Sequence, residues 1–284
     1  TAEVAEIPLL IVPPCINKFY ILDLQPENSF VRHAVARGMT VFLVSWRNPQ
    51  AGQGHLRWDD YVEQGVLKAL EISAEISRVP KVNALGFCVG GTLLTTSLAV
   101  ARARGEDKVA SLTLLTTLLD FSGPGELGLF IDPASVAMRE SAIGQGGLMK
   151  GSELATVFSA LRANDLIWPY VVGNYLQGSK PAAFDLLYWN ADSTNLPGPF
   201  AAWYLRHMYL ENRLCQPGKL EVCGLNVDLG LLSMPVFLYA SREDHIVPWQ
   251  SAYQSRKLLS GKTTFVMGAS GHIAGVIKKK KKKR

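Results

Sequence analysis

The segment Leu85-Gly86-Phe87-Cys88-Val89-Gly90-Gly91-Thr92-Leu93 constrains this chain more than any other. It reads G-x-C-x-G, the pattern of a nucleophile elbow, with cysteine in the place usually held by serine. An apolar stretch, Val82 to Leu85, runs into it, and a helix-like stretch, Thr92 to Ala103, runs out. The motif has meaning only in that strand–turn–helix setting. Gly86 and Gly90 allow a sharp turn without side-chain clashes, so the sulfur stands exposed. The N–H of Val89 is then half of an oxyanion hole. Sulfur also sets the chemistry. A thiol that attacks a thioester forms another thioester of similar energy, so the acyl group stays ready for transfer.

Six short apolar runs read as strands: Ile7–Val12, Thr40–Ser45, Val82–Gly86, Ser111–Leu115, Val236–Ala240 and Thr264–Met267. Their near-continuous apolar character suits a sheet buried on both faces. Helical periodicity occupies Ser29–Arg37, Asp59–Ser77, Thr92–Arg104 and Pro248–Leu259. This alternation predicts an α/β protein, a mostly parallel sheet flanked by helices. The interval 116–232 breaks it, with Gly and Pro punctuation, no clear strand and many aromatics, among them Trp168, Tyr170, Phe184, Trp189, Tyr204 and Tyr209. It reads as an inserted, mainly helical cap whose aromatics chiefly form its own core. The expected organisation is therefore 1–115 and 233–277 for the two parts of an α/β-hydrolase core, 116–232 for the cap, and 278–284 for a basic tail outside the fold.

With 284 residues and 48% apolar content, one large α/β domain can bury a core. The net charge of +5 misleads, because residues 278–284 are six lysines and an arginine. Without them 22 basic residues face 24 acidic ones, a net of −2, and charge gives no reason to expect nucleic-acid binding. No apolar stretch is long enough to cross a membrane. The chain opens at Thr1 with neither a signal-peptide pattern nor an initiator methionine, and is read as a piece of a longer, cytoplasmic protein. Four cysteines (Cys15, Cys88, Cys215 and Cys223) are too few for a disulfide framework. Cys215 and Cys223 lack metal-ligand spacing, and no Gly-rich phosphate loop is present, so neither a metal nor a cofactor is expected.

Cys88, Asp244 and His272 each follow a strand, in the order nucleophile, acid, histidine. His272 is expected to take the thiol proton or to pair with the thiolate. Asp244 is expected to fix the imidazole tautomer and stabilise the imidazolium. Glu243 competes with Asp244 for that role. His245 competes with His272, but suits a supporting or substrate-binding role better. His33, His55 and His207 lie away from strand ends and read as structural. The second oxyanion N–H is expected from the loop after the first strand, at Cys15 or Ile16.

These segments, together with Val12-Pro13-Pro14-Cys15-Ile16-Asn17-Lys18-Phe19-Tyr20, Val44-Ser45-Trp46-Arg47-Asn48-Pro49, Ser241-Arg242-Glu243-Asp244-His245-Ile246-Val247-Pro248-Trp249 and Gly268-Ala269-Ser270-Gly271-His272-Ile273-Ala274-Gly275-Val276-Ile277, resemble class I polyhydroxyalkanoate synthases. The likeness runs from Ile7 to Ile277. It implies an acyl-carrying Cys88, a base at His272 and its partner at Asp244. It implies a substrate of (R)-3-hydroxyacyl-coenzyme A, short-chain such as 3-hydroxybutyryl-coenzyme A, with coenzyme A a product and not a cofactor. It implies a homodimer acting on polyester granules in the cytoplasm, and a separate N-terminal domain. Trp168, beside Asn164-Asp165-Leu166, matches the family's cap, and with Asn17 and His245 is expected to support the triad or touch substrate. The lysine tail departs from the family's ending and leaves the helix after His272 in question. A cysteine-elbow thioesterase or polyester depolymerase would share the triad residues, and a non-catalytic granule-surface protein would use the aromatic cap and basic tail, against which the intact triad order argues.

Overall fold

The computed structural model describes residues 3–161, 163–180 and 185–277; Phe184 and the basic tail fall outside them. Ten strands form among the described residues. They are β1 (Leu9–Val12), β2 (Val41–Leu43), β3 (Val82–Phe87), β4 (Val109–Leu115), β5 (Leu148–Met149), β6 (Leu196–Pro197), β7 (Leu220–Val222), β8 (Leu225–Val227), β9 (Val236–Ser241) and β10 (Thr263–Gly268). Six of them make one sheet in the order β10-β9-β4-β3-β1-β2, and every pairing is parallel. These are the six strands expected from the apolar runs, each within two residues at either end. Parallel strands require covering on both faces. Leu10, Val12, Ala84, Leu112, Leu114 and Leu238 pack with the elbow helix (Val89–Ala103) on one side. Leu9, Ile11, Leu85, Phe87 and Leu115 form a second core on the other.

The elbow helix occupies the centre of the molecule. Every residue from Val89 to Ala101 is buried. Its hydroxyls are satisfied: Thr95, Thr96 and Ser97 donate to the carbonyls four residues back at 2.7, 2.7 and 2.8 Å, and Thr92 donates out of the helix to Leu118 O at 2.8 Å. The helix is thereby a rigid base for the turn before it. The first peripheral helix, Phe30–Ala36, starts where Ser29 Oγ accepts the Arg32 N–H at 2.7 Å. The segment expected as one helix over Asp59–Ser77 runs from Trp58 as α, widens to a π-helix at Tyr61–Leu67, and returns to α at Lys68–Ser77.

The interval between β4 and β9 corrects the expectation of a strandless cap. β5 pairs with β6, and β7 with β8, both antiparallel. Two- and three-residue strands carry too little alternation to be seen as sequence patterns. Part of this interval also belongs to the main core. Phe200, Met208, Leu214, Leu220 and Val227 are buried in the same cluster as the sheet. Its return to the sheet is stitched to the loops after β1 and β2. Thr194 N–H donates to Ile16 O at 2.9 Å, Trp189 Nε1 to Lys18 O at 2.7 Å, and Asn195 N–H to Asn48 Oδ1 at 2.9 Å. The Gly144–Gly147 stretch is held too: Gly198 N–H donates to Gly147 O at 2.8 Å, and Gly54 lies against Gly147 with no room for a Cβ.

Candidate active site

Cys88 follows β3 directly and adopts φ +54°, ψ −131°. Such a conformation costs a non-glycine residue about 1–3 kcal/mol. Hydrogen bonds of roughly 1 kcal/mol each offset it: Cys88 N–H donates to Leu115 O at 3.0 Å, and Gly91 N–H to Cys88 O at 2.8 Å. The neighbouring glycines are required by close approach and not by their own dihedrals. A Cβ on Gly86 would meet Gly91 Cα at 2.3 Å, and one on Gly90 would meet the carbonyl oxygens of Val12 and Pro13 at 2.4 Å. The elbow is therefore pressed against the end of β1, and Trp46 Nε1 donates to Pro13 O at 2.9 Å to hold that loop. As first residue of the helix, Val89 presents an N–H that has no acceptor within the helix.

Asp244 and His272 leave β9 and β10 at the same sheet edge. The two loops are tied by Arg242 N–H to Gly268 O (2.9 Å) and Glu243 N–H to Ser270 O (3.0 Å). Ser270 takes φ +83° in the turn that presents His272. Asp244, 6% exposed, uses both oxygens. Oδ1 accepts the N–H groups of Ile246 and Val247 at 2.9 and 2.8 Å, and Oδ2 lies 2.7 Å from His272 Nδ1. Of the two candidate acids, Asp244 therefore meets His272, while Glu243 lines the cavity beside it. The imidazole, 7% exposed, stacks on Phe87 with centroids 5.7 Å apart and lies within the electrostatic reach of Cys88.

Burial alone disfavours the imidazolium, but the negative charges of the Cys88 thiolate and the Asp244 carboxylate outweigh it and push His272 up to about 10. The sign gives a prediction. A raised folded value means that the stability from this group is complete below its ordinary 6.5 and is lost as pH rises through about 10. The melting temperature is expected to fall over that window. Cys88→Ala, which removes a partner that raises the value, should flatten the fall; an equal slope in both proteins would contradict the pairing.

Cys88 and His272 line a cavity of about 500 Å³. Pro14, Ile16 and Asn17 line it from the loop after β1, and His245 from the loop after β9. Asn17 also bridges to Ser193. Cys15 itself is buried at 2% exposure, and burial pushes its thiol up to about 12. Burial raises Cys215 and Cys223 as well. Cys88 alone of the four cysteines lines the cavity. Trp168, expected to support the triad or touch substrate, is 56% exposed and lies outside the lining of this cavity. A short helix with proline at its second position (Trp168–Tyr170) turns Trp168 outward and places Tyr170 on the cavity. His207 is structural, with Nδ1 3.0 Å from Glu211 and its ring against Trp203.

Trp189, Tyr204 and Tyr209, read from the sequence as aromatics of the cap's own core, also line the cavity. Tyr204 and Tyr209 meet edge to face at 5.4 Å, and Tyr204 stacks on Trp58. Burial drives both phenols well above their ordinary range, so they stay protonated as O–H donors. In the sequence they stand only in an aromatic-rich stretch with Phe200 and Trp203, which reads equally as core. Among the described residues no cluster of His, Cys, Asp and Glu could hold a metal ion, and no helix is long and apolar enough to cross a membrane.

The α/β-hydrolase fold family matches residues 8–278 through its family model. Among curated proteins, the chain is 59% identical over 282 residues to the poly(3-hydroxyalkanoate) polymerase subunit PhaC of Cupriavidus necator, covering 98% of this chain and 48% of that protein. It is 46% identical over 277 residues to the subunit of the same name from Rhizobium meliloti, covering 98% and 45%. The chain thus spans about half the length of the relatives it matches. Among solved structures, a hydrolase from Pseudomonas aeruginosa superposes with TM-score 0.56 at 18% identity, over 96% of this chain and 86% of its own. A monoacylglycerol lipase from Paleococcus ferrophilus gives 0.56 at 16%, over 94% and 87%. At such identities the likeness is one of fold.

Proposed function

This chain belongs to the α/β-hydrolase fold family, and on that premise we propose that it is the catalytic part of a poly(3-hydroxyalkanoate) polymerase. The reading rests chiefly on one observation: a cysteine elbow and the histidine of a buried His–Asp pair line the same 500 Å³ cavity, in a chain 59% identical to a protein of that name. The substrate is a (R)-3-hydroxyacyl-coenzyme A with a short acyl chain, such as 3-hydroxybutyryl-coenzyme A. His272 takes the Cys88 proton, and Sγ attacks the thioester carbonyl. The oxyanion rests on the Val89 N–H and on an N–H from Cys15 or Ile16. As the tetrahedral intermediate collapses, the C–S bond to coenzyme A breaks, and the leaving thiolate takes the proton back from His272. His272 then accepts the proton of a 3-hydroxyl, which attacks the Cys88 thioester. An ester forms, and Sγ leaves as thiolate. A hydroxyl is far less acidic than a thiol, so this second step needs the base more. The family likeness further supports a homodimer working at granule surfaces in the cytoplasm.

Incubation with 3-hydroxybutyryl-coenzyme A tests the reading by following coenzyme A release and product mass together. Polymer accompanied by stoichiometric coenzyme A is expected. Free 3-hydroxybutyrate without polymer would replace the polymerase with a thioesterase. Absence of coenzyme A release would leave a non-catalytic role.

A further inference from the structure

His272 depends for its placement on a turn that is itself held by a residue outside the triad. Tyr239 lies in β9 on the sheet face that carries Leu85, Phe87 and Leu115. Its hydroxyl donates to Gly275 O at 2.6 Å, three residues beyond His272. Ser241, fully buried, donates in turn to the Tyr239 hydroxyl at 3.5 Å. Glycines clear the space on both sides. A Cβ on Gly268, the last residue of β10, would stand 1.9 Å from the Tyr239 hydroxyl, and one on Gly275 would stand 2.2 Å from Ser241 Oγ. The hydroxyl is thus seated between the two ends of the loop that presents His272. That loop contains the strained Ser270 and closes into a one-turn helix, Ala274–Ile277, whose own bonds run from Gly275 N–H to Gly271 O and from Ile277 N–H to Ile273 O. So short a helix has little stability of its own.

We propose that Tyr239 is a positioning residue: through Gly275 it fixes the loop that sets the His272 ring against Cys88. The inference builds on the assignment of Cys88 and His272 as nucleophile and base. It adds that their contact is held from β9 and not by the Asp244 bond alone. Asp244 controls Nδ1, whereas Tyr239 controls where the backbone carrying the ring begins and ends.

The test is Tyr239→Phe, read first by the pH profile of Cys88 alkylation with iodoacetamide, mapped by mass, which needs no substrate. Loss of the tether is expected to slow alkylation near neutral pH about tenfold and to move the profile up by about one unit, as for loss of one hydrogen bond of ordinary strength. With 3-hydroxybutyryl-coenzyme A, kcat should fall about tenfold while KM stays within about twofold, since no substrate contact is removed. Ser241→Ala, which leaves the bond to Gly275 in place, should remain within about twofold of the native protein in both assays. An alkylation profile of Tyr239→Phe that superposes on the native one overturns the proposal. If Tyr239→Phe does not fold, Gly268→Ala displaces the same hydroxyl without removing it, and an unshifted profile there overturns the proposal equally. A native protein that makes no polymer but still shows the Tyr239-dependent profile upholds the positioning role while ending the polymerase reading.

Discussion

Cys88→Ala is expected to lower coenzyme A release from 3-hydroxybutyryl-coenzyme A by roughly four to six orders of magnitude, the scale seen when a covalent nucleophile is removed. The expectation rests on placement. Cys88 alone among the four cysteines lines the cavity that His272 also lines, while burial holds Cys15 and Cys223 near 12, protonated at neutral pH. Cys15→Ala should cost about 1 kcal/mol of stability through lost packing and leave most activity. Cys88→Ser should retain little polymerisation, because a hydroxyl is a much weaker acid and its ester a poorer acyl donor. Mass mapping after substrate exposure provides the direct check. Acyl groups on Cys15, Cys215 or Cys223, with Cys88 unmodified, would remove Cys88 from the mechanism.

The features legible in the sequence are those whose physical cause is local. The elbow could be read because its steric demands fall on Gly86, Gly90 and Gly91, three positions within six residues of each other. Asp244 and His272 could be read because each closely follows an apolar strand, and parallel strands deliver their ends to one edge of the sheet. The choice between Asp244 and Glu243 was also local in origin. Asp244 Oδ1 caps the N–H groups two and three residues ahead, an Asx-type turn that leaves Oδ2 for His272. What could not be read depends on long-range placement. Trp168 and Trp189 are the same residue type on neighbouring stretches, yet one is 56% exposed and the other 3%. The difference comes from the bond of Trp189 Nε1 to Lys18 O, 171 residues away in the chain. Tyr204 and Tyr209 reach the cavity because Trp58 and Phe121 pack behind them. The tether from Tyr239 to Gly275 spans 36 residues and two strands, and no spacing rule announces it.

Asp244→Asn is expected to slow sustained polymerisation by about 10³–10⁴-fold while leaving the first acyl transfer much less affected. The fold should survive, because an asparagine oxygen can still accept the Ile246 and Val247 N–H groups that Oδ1 holds now. That arrangement leaves an amide NH₂ facing His272 Nδ1. A donor there requires Nδ1 to be unprotonated, which puts the proton on the other ring nitrogen and disables it as a base toward Cys88 and substrate. The carboxylate charge that raises His272 is lost as well. The two half-reactions do not depend equally on the base. An ordinary thiol with a pKa near 8.5 supplies a few per cent of thiolate at pH 7 unaided. A 3-hydroxyl supplies almost none and needs proton removal in every elongation step. The variant should therefore release about one coenzyme A per site in a burst, then turn over slowly, with short acyl chains remaining on Cys88. Raising the pH should speed the burst more than the slow phase, since only the thiol gains anion over that range. Equal slowing of both phases would mean that Asp244 serves acylation and elongation alike. Undiminished turnover would mean that the 2.7 Å bond between Asp244 and His272 carries no catalytic weight.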